Sequence, residues 1–184
     1  MKITVFGASS PKPDSPAYQF AYQLGEKLAL AGFSVITGGY MGTMEAVSRG
    51  AAEKGGHVIG VTCNEIEKWR KTTANPWVQE EWRRNTLQDR LTTLIESCDA
   101  AIALPGGPGT LAEIVLMWNK IQIQAIPVMP IILIGTGWKK VMETLFAEQG
   151  EYIAETYKKW ILFAETIDET FALLPLLKNN IENQ

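Results

Sequence analysis

The sequence predicts an α/β fold: a three-layer, doubly wound, mostly parallel sheet with helices on both faces. Three observations carry this. Short apolar runs alternate with stretches of helical periodicity, the pattern of βαβ units. The runs are almost wholly apolar rather than alternating, as strands covered on both faces should be. Three of them end in small-residue turns, Gly7-Ala8-Ser9-Ser10, Gly38-Gly39 and Pro105-Gly106-Gly107.

Each element follows in order. Lys2-Ile3-Thr4-Val5-Phe6 reads as the first strand. Asp14-Ser15-Pro16 then opens a helix, with a capping side chain and proline at the first helical position. Ala17, Phe20, Ala21, Leu24 and Leu28 recur at spacings of three and four and make one apolar face. Gly32 stops this helix, and Phe33-Ser34-Val35-Ile36-Thr37 is the second strand. A helix over residues 44–54 ends at Gly55-Gly56, and residues 57–62 form the third strand. Residues 64–84 are polar, lack clear periodicity and hold Trp69, Trp77 and Trp82. They read as a long excursion or lid, because flexible linkers rarely carry three tryptophans. A helix over 86–97 leads to the fourth strand, 100–104, and another runs from the glycine turn to about residue 124. Residues 130–134 are the fifth strand, 137–149 are helical, and 160–164 suit a last short strand. Thr166-x-x-Glu169 is a capping-box pattern opening a final helix to about residue 177. The result is a Rossmann-like single domain over 1–177 and a polar tail, 178–184.

Composition narrows the function. The chain of 184 residues carries 17 basic and 20 acidic side chains, a net charge of −3, with no basic stripe of the kind nucleic acid requires. Cys63 and Cys98 are too few for a disulfide framework, which suits a reducing cytosol. The N-terminus lacks the organisation of a signal peptide, and the apolar stretch around 125–135 is short and interrupted by Pro127 and Pro130. A cytoplasmic protein with no membrane partner is expected. His57 is the only histidine, so metal sites and triads that depend on several have almost nothing to use.

The glycine turns point to a ligand. In a parallel sheet all carboxyl ends lie on one side, and ligands bind there where the strand order reverses. Glycine lets the backbone approach a ligand closely, and a following helix aims free N–H groups and its positive dipole end at an anion. Three converging turns suit one phosphate, although each alone is also ordinary turn chemistry. The first turn is not Gly-x-Gly-x-x-Gly, and the second strand ends in Thr37-Gly38 where a dinucleotide fold places an acid, so a nicotinamide cofactor is not expected. The Gly-x-x-x-x-Gly-Lys-[Ser/Thr] phosphate loop is absent too.

The sharpest motif is Pro105-Gly106-Gly107-Pro108-Gly109-Thr110-Leu111-Ala112-Glu113. Thr110 brings a hydroxyl to a helix start, and Glu113 lies one turn further on the same side. Thr-x-x-Glu is also a capping box, and from local pattern alone capping is the more economical use of Glu113. Arg90, likewise, reads locally as an ordinary surface charge on a helix.

In context these nine residues resemble the motif PGGxGTxxE of the LONELY GUY (LOG) family, also labelled as lysine decarboxylases, at every fixed position. Gly38-Gly39 with Gly42-Thr43-Met44 resembles that family's second glycine cluster, Arg90 falls where the family carries an arginine, and Trp118 and Gln122 resemble the next helix. The resemblance implies a nucleoside 5′-monophosphate phosphoribohydrolase, which releases free base and ribose 5-phosphate, with cytokinin nucleotides and AMP as the substrate types and no metal or organic cofactor. It implies catalytic roles for Arg90 and Glu113. It implies nucleotide or phosphate contacts from Gly7, Ser9, Gly38, Gly39, Gly42, Met44, Gly106, Gly107, Gly109 and Thr110. It also implies a homodimer or higher homo-oligomer. Trp118, Ile121 and Ile123 suit either that interface or the core.

This chain departs from the family at four points. Leu91 replaces a lysine, Gln88 stands where many members have histidine, Pro108 fills a position that is often tyrosine, and the second cluster is one residue shorter. The Trp69–Trp82 stretch suits closure over a base, a dimer surface or the core. The alternative function is a non-catalytic nucleotide or molybdenum-cofactor (pterin) carrier, a group that shares the fold and its glycine clusters. Lysine decarboxylation is set aside, because it needs a Schiff-base lysine and only Lys12 lies near the glycine turns.

Overall fold

The computed structural model describes residues 1–174. The expected tail, 178–184, and the end of the last expected helix lie outside the described residues. Seven strands form one sheet, and all of the pairings are parallel: β1 (Lys2–Phe6), β2 (Ser34–Thr37), β3 (Val58–Cys63), β4 (Glu80–Arg84), β5 (Ala100–Ala103), β6 (Ile131–Ile134) and β7 (Ile161–Ala164). Their order is β4-β3-β2-β1-β5-β6-β7. The order therefore reverses between β1 and β5, and the crevice at a parallel sheet's carboxyl edge opens there. Phe6 pairs with Ala103, and the Leu104 N–H donates to the Phe6 carbonyl at 2.9 Å, so the turns after β1 and β5 start side by side.

The helices are α1 (Pro16–Leu30), α2 (Thr43–Glu53), α3 (Asn64–Arg70), α4 (Leu87–Glu96), α5 (Pro108–Gln122), α6 (Thr136–Gln149), α7 (Glu155–Lys158) and α8 (Ile167–Leu173). Alternate strand residues supply two cores, which explains the absence of polar alternation in the central strands. Ile3, Val5, Val35 and Ile102 pack under α1 and α2 on one face. Phe6, Ile36, Ala101 and Leu133 pack under α4, α5 and α6 on the other. Each fully buried aliphatic side chain contributes about 1.5–3 kcal/mol. Trp118 and Ile121 belong to the second core, at 7% and 1% exposure, whereas Ile123 is 64% exposed. Only the last is therefore free to serve an interface.

Local signals were obeyed where they are local. Ser15 caps α1 by accepting from the Tyr18 N–H at 3.3 Å, with Pro16 at the first helical position. Thr166 caps α8 by accepting from the Glu169 N–H at 3.1 Å, and Glu169 reaches back to the Glu165 N–H at 2.7 Å. Among the described residues, no helix is long and apolar enough to cross a membrane.

One expectation is corrected. Residues 64–84 are not a free excursion or lid: they contain α3 and the strand β4, paired with β3 from Ile59↔Glu80 to Cys63↔Arg84. The loop between them is pinned by Asn75, whose side-chain amide donates to the Gly39 and Tyr40 carbonyls at 3.1 and 3.0 Å. The three tryptophans diverge. Trp69 is 75% exposed beside Arg70, Trp77 lies under Arg49, and Trp82 packs against the second core.

Candidate active site

Arg90 and Glu113 are brought together from α4 and α5. Both are buried, at 5% and 7% exposure, so neither is a surface charge. Thr86 caps α4 through the Asp89 N–H at 3.1 Å, and α4 carries Arg90 inward beneath the turn after β2. Arg90 Nε donates to the Val61 carbonyl at 2.7 Å and Nη2 to the Gly38 carbonyl at 3.1 Å. Its guanidinium lies 5.5 Å from the centre of the Tyr40 ring, a cation–π distance. Tyr40 is fixed in turn, since its hydroxyl accepts from the Cys63 N–H at 2.8 Å and donates to the Cys63 carbonyl at 3.1 Å. The Met44 sulfur lies 3.9 Å from Nη2.

Glu113 is not a cap. The N-cap of α5 is Gly107 and Pro108 is its first residue, so Thr110 already lies inside the helix and Glu113 a turn deeper. Its carboxylate stands 3.9 Å from Arg90 Nη1, beyond hydrogen-bond reach, and accepts no other bond from the described residues. Among those residues every fully enclosed side-chain oxygen and nitrogen has a partner, so the unpartnered Glu113 carboxylate opens onto the crevice. Burial pushes its pKa up to about 7, and the Arg90 charge opposes that rise. The capping-box reading fails because Pro108, with fixed φ and no N–H, starts the helix three residues earlier than a Thr110 cap would. That proline was the signal in the sequence.

The expected phosphate-binding residues divide. A methyl group on Gly38 would overlap Arg90 Nη2 and the Met44 sulfur, so glycine there makes room for the arginine. Gly42 has φ +75°, and a methyl group on it would come within 2.6 Å of the Ser9 backbone. Thr43 then donates from both N–H and hydroxyl to the Ala8 carbonyl, at 2.9 and 3.0 Å. Gly7 faces Thr43, Gly39 faces Thr62, and Gly106 faces Thr110 at similarly close range. Gly107 and Gly109 face nothing within 4 Å and are exposed. The Gly109 and Thr110 N–H groups belong to the first helical turn, where no helical carbonyl accepts them.

Sequence reasoning did not single out Tyr40, Asn75 or Trp138. Trp138 on α6 donates its indole N–H to the Leu104 carbonyl at 2.9 Å, bracing the strand end that feeds the glycine turn. No local pattern marks such long-range contacts. His57 lies at the opposite, amino edge of the sheet, 3.1 Å from Glu80, away from Arg90 and Glu113. A surface cavity of about 540 Å³ between α1 and α8 is also remote, and its Lys27 and Lys54 are already paired with Asp168 and Glu26.

Comparisons with known proteins bear on the family and the fold. The SLOG cluster4 family matches the chain over residues 1–161. An uncharacterized protein of Archaeoglobus fulgidus is 31% identical over 144 residues, which span 78% of this chain and 89% of that protein. The cytokinin riboside 5′-monophosphate phosphoribohydrolase LOG of Oryza sativa subsp. japonica is 30% identical over 171 residues, 91% of this chain and 70% of the relative. For two further rice relatives the match spans only 52% and 56% of their length. Among solved structures, the molybdenum cofactor binding protein of Rippkaea orientalis superposes with a TM-score of 0.75 at 25% identity, covering 96% of both chains. The molybdenum cofactor carrier protein of Chlamydomonas reinhardtii gives 0.72 at 22% identity, covering 97% of this chain and 98% of that one, which shows the shared fold.

Proposed function

The chain belongs to the SLOG cluster4 family and is a LOG-family protein, and from that premise we propose that it is a nucleoside 5′-monophosphate phosphoribohydrolase. The observation that carries this reading is the buried Arg90–Glu113 pair set beside an open glycine turn at the point where strand order reverses. The 5′-phosphate sits at the start of α5, on the N–H groups of Gly109 and Thr110, with Gly106 and Gly107 giving close access. The N-glycosidic bond breaks, its electron pair leaves with the base nitrogen, and positive charge builds on the ribose. The Glu113 carboxylate faces that charge and orients the water that adds to the anomeric carbon. One water proton ends on the base, leaving free base and ribose 5-phosphate. Arg90 holds Glu113 ionised and contacts the sugar. Because the working form is the carboxylate and its pKa is about 7, turnover falls as pH drops below that value.

The test is release of free base from a panel of nucleoside monophosphates, including AMP and cytokinin nucleotides. Turnover that collapses in Glu113→Gln and Arg90→Ala, in variants that remain folded, is the expected result. The resemblance to the Rippkaea orientalis protein favours a second reading, a non-catalytic carrier of a phosphate-bearing pterin in the same crevice. Tight pterin binding with no turnover of any nucleotide would decide for it. In both readings we place a second copy of the chain against α4 and α5, whose Leu87, Leu111 and Val115 are each more than a third exposed. Sizing in solution checks the dimer.

A further inference from the structure

The Gly38-Gly39-Tyr40 turn is tied by side chains from far along the chain. The Gly38 carbonyl accepts from Arg90 Nη2 at 3.1 Å. The next two carbonyls accept from Asn75. Gly39 takes its backbone N–H at 2.8 Å and its side-chain amide at 3.1 Å, and Tyr40 takes the same amide at 3.0 Å. The amide is itself oriented, because its oxygen accepts from the Trp77 N–H at 3.1 Å. Asn75 is buried, and its residue type suits the place. One short, uncharged group brings both donors and an acceptor, whereas aspartate would set an oxygen against two carbonyl oxygens. The segment that delivers Asn75 is seated on the sheet, with Val78 over Gly60 and Gln79 bonded to both the N–H and the carbonyl of Val58.

Arg90 has two anchors of unequal firmness. Nε is held at 2.7 Å by the Val61 carbonyl, within β3, which has a strand on either side. Nη2 is held by Gly38, which lies beyond the end of β2. A guanidinium is planar and rigid, so a shift of the Gly38 carbonyl pivots the whole group about its Val61 bond. Nη1, 3.9 Å from the Glu113 carboxylate, swings with it. We infer that Asn75 is a positioning residue for the Arg90–Glu113 pair: by holding the Gly38–Tyr40 turn, it sets where the Arg90 guanidinium stands relative to the Glu113 carboxylate. The effect on turnover rests on the phosphoribohydrolase reading, whereas the effect on the pair itself does not.

Glu113 reports the position. Burial raises its pKa to about 7 and the Arg90 charge opposes that rise, so a guanidinium that moves away lets the midpoint climb further. The experiment titrates the Glu113 carboxyl by NMR of labelled glutamate carboxyl carbons, its signal identified by its loss in Glu113→Gln. Asn75→Leu keeps the bulk and loses the donors. Its midpoint should rise by roughly 0.5–1 pH unit, the attraction lost when 3.9 Å lengthens by about 1.5 Å. Asn75→Ser keeps a donor for one carbonyl; it should show a smaller rise, and it decides the matter if Asn75→Leu does not fold. Val78→Ala loosens the same segment but spares the Asn75 bonds, and should leave the midpoint in place. In the folded Asn75 variants, an unmoved or lowered midpoint overturns the inference, as does an equal rise in Val78→Ala. Under the hydrolase reading, Asn75→Leu also lowers kcat for base release on the order of 10–100-fold with KM little changed, because the reacting groups are displaced while the start of α5 is not. A fall in kcat with an unmoved midpoint overturns the inference and leaves the hydrolase reading standing. If the parent turns over no nucleotide, the hydrolase reading fails and the midpoint alone decides this one.

Discussion

At the carboxyl edge, the turn after β2 and the turn after β5 each contain a Gly-Gly pair, and each leads into a helix. The two turns use glycine differently. Around β2, Gly38 makes room for Arg90, and Gly39 and Gly42 hold φ +75° hard against Thr62 and the Ala8–Ser9 backbone. Glycine is demanded there by the fold itself. After β5, Gly106 is packed against Thr110, but Gly107 and Gly109 meet nothing and hold no left-handed backbone angle. Neither space nor conformation within this chain requires them. Under the proposed function they leave the backbone of this turn open to the 5′-phosphate. The comparison separates glycines packed against the chain's own atoms from open glycines that the proposed function assigns to its ligand.

The largest effect expected from this contrast is at Gly42. Gly42→Ala combines left-handed backbone strain with a methyl group forced into the Ala8–Ser9 backbone, and should cost roughly 2–4 kcal/mol in urea unfolding. A neutral result there would break the comparison.

Glu113→Gln tests the burial lying between the two turns. The Glu113 pKa is raised to about 7 in the folded chain, against 4.5 for an ordinary glutamate. A raised acid pKa means that the fold binds the proton more tightly than the unfolded chain does. The folded state is therefore favoured at pH below 4.5 and loses up to about 3 kcal/mol as pH rises from there through 7. The glutamine variant should lack this slope when urea midpoints are followed across pH 4 to 8, and a parallel slope would show that Glu113 is not desolvated.

Gly38→Ala should cost about 1–3 kcal/mol by overpacking. Because the displaced group is Arg90, base release should fall well beyond what the lost stability explains, and turnover measured at temperatures where the variant is fully folded separates the two effects. Smallest in stability are Gly107→Ala and Gly109→Ala, expected within about 0.5 kcal/mol of the parent. Their effect should appear instead as weaker binding of a 5′-monophosphate by calorimetry. Destabilisation without loss of affinity at these two positions would erase the distinction.

Much of this was legible before the fold. Strands covered on both faces advertise themselves as apolar runs, and β1, β2, β3, β5 and β6 fall where such runs lie. Ser15 and Thr166 cap the helices they precede, since capping is settled within four residues. β4 was not legible. Its sequence, Glu-Glu-Trp-Arg-Arg, has one free edge and largely exposed side chains, so it needs no apolar pattern, and it blunts that edge with charge. Only pairing with β3 makes it a strand.

The site divides in the same way. The sequence by itself determined the doubly wound alternation, the position of the glycine turns at strand ends and Glu113 in its nine-residue motif, because each is written in contiguous residues, whereas Arg90 stood out only through the family resemblance. Tertiary structure decided what those residues do. Whether Glu113 caps a helix or lies buried depends on where α5 begins and on what α4 presents to it. Whether Arg90 is a solvated charge or a clamped one depends on carbonyls of Val61 and Gly38, 29 and 52 residues away. Whether a glycine is needed by the chain or by a ligand depends on which atoms stand opposite its missing side chain. Those atoms come from other strands and helices, and no local periodicity records them.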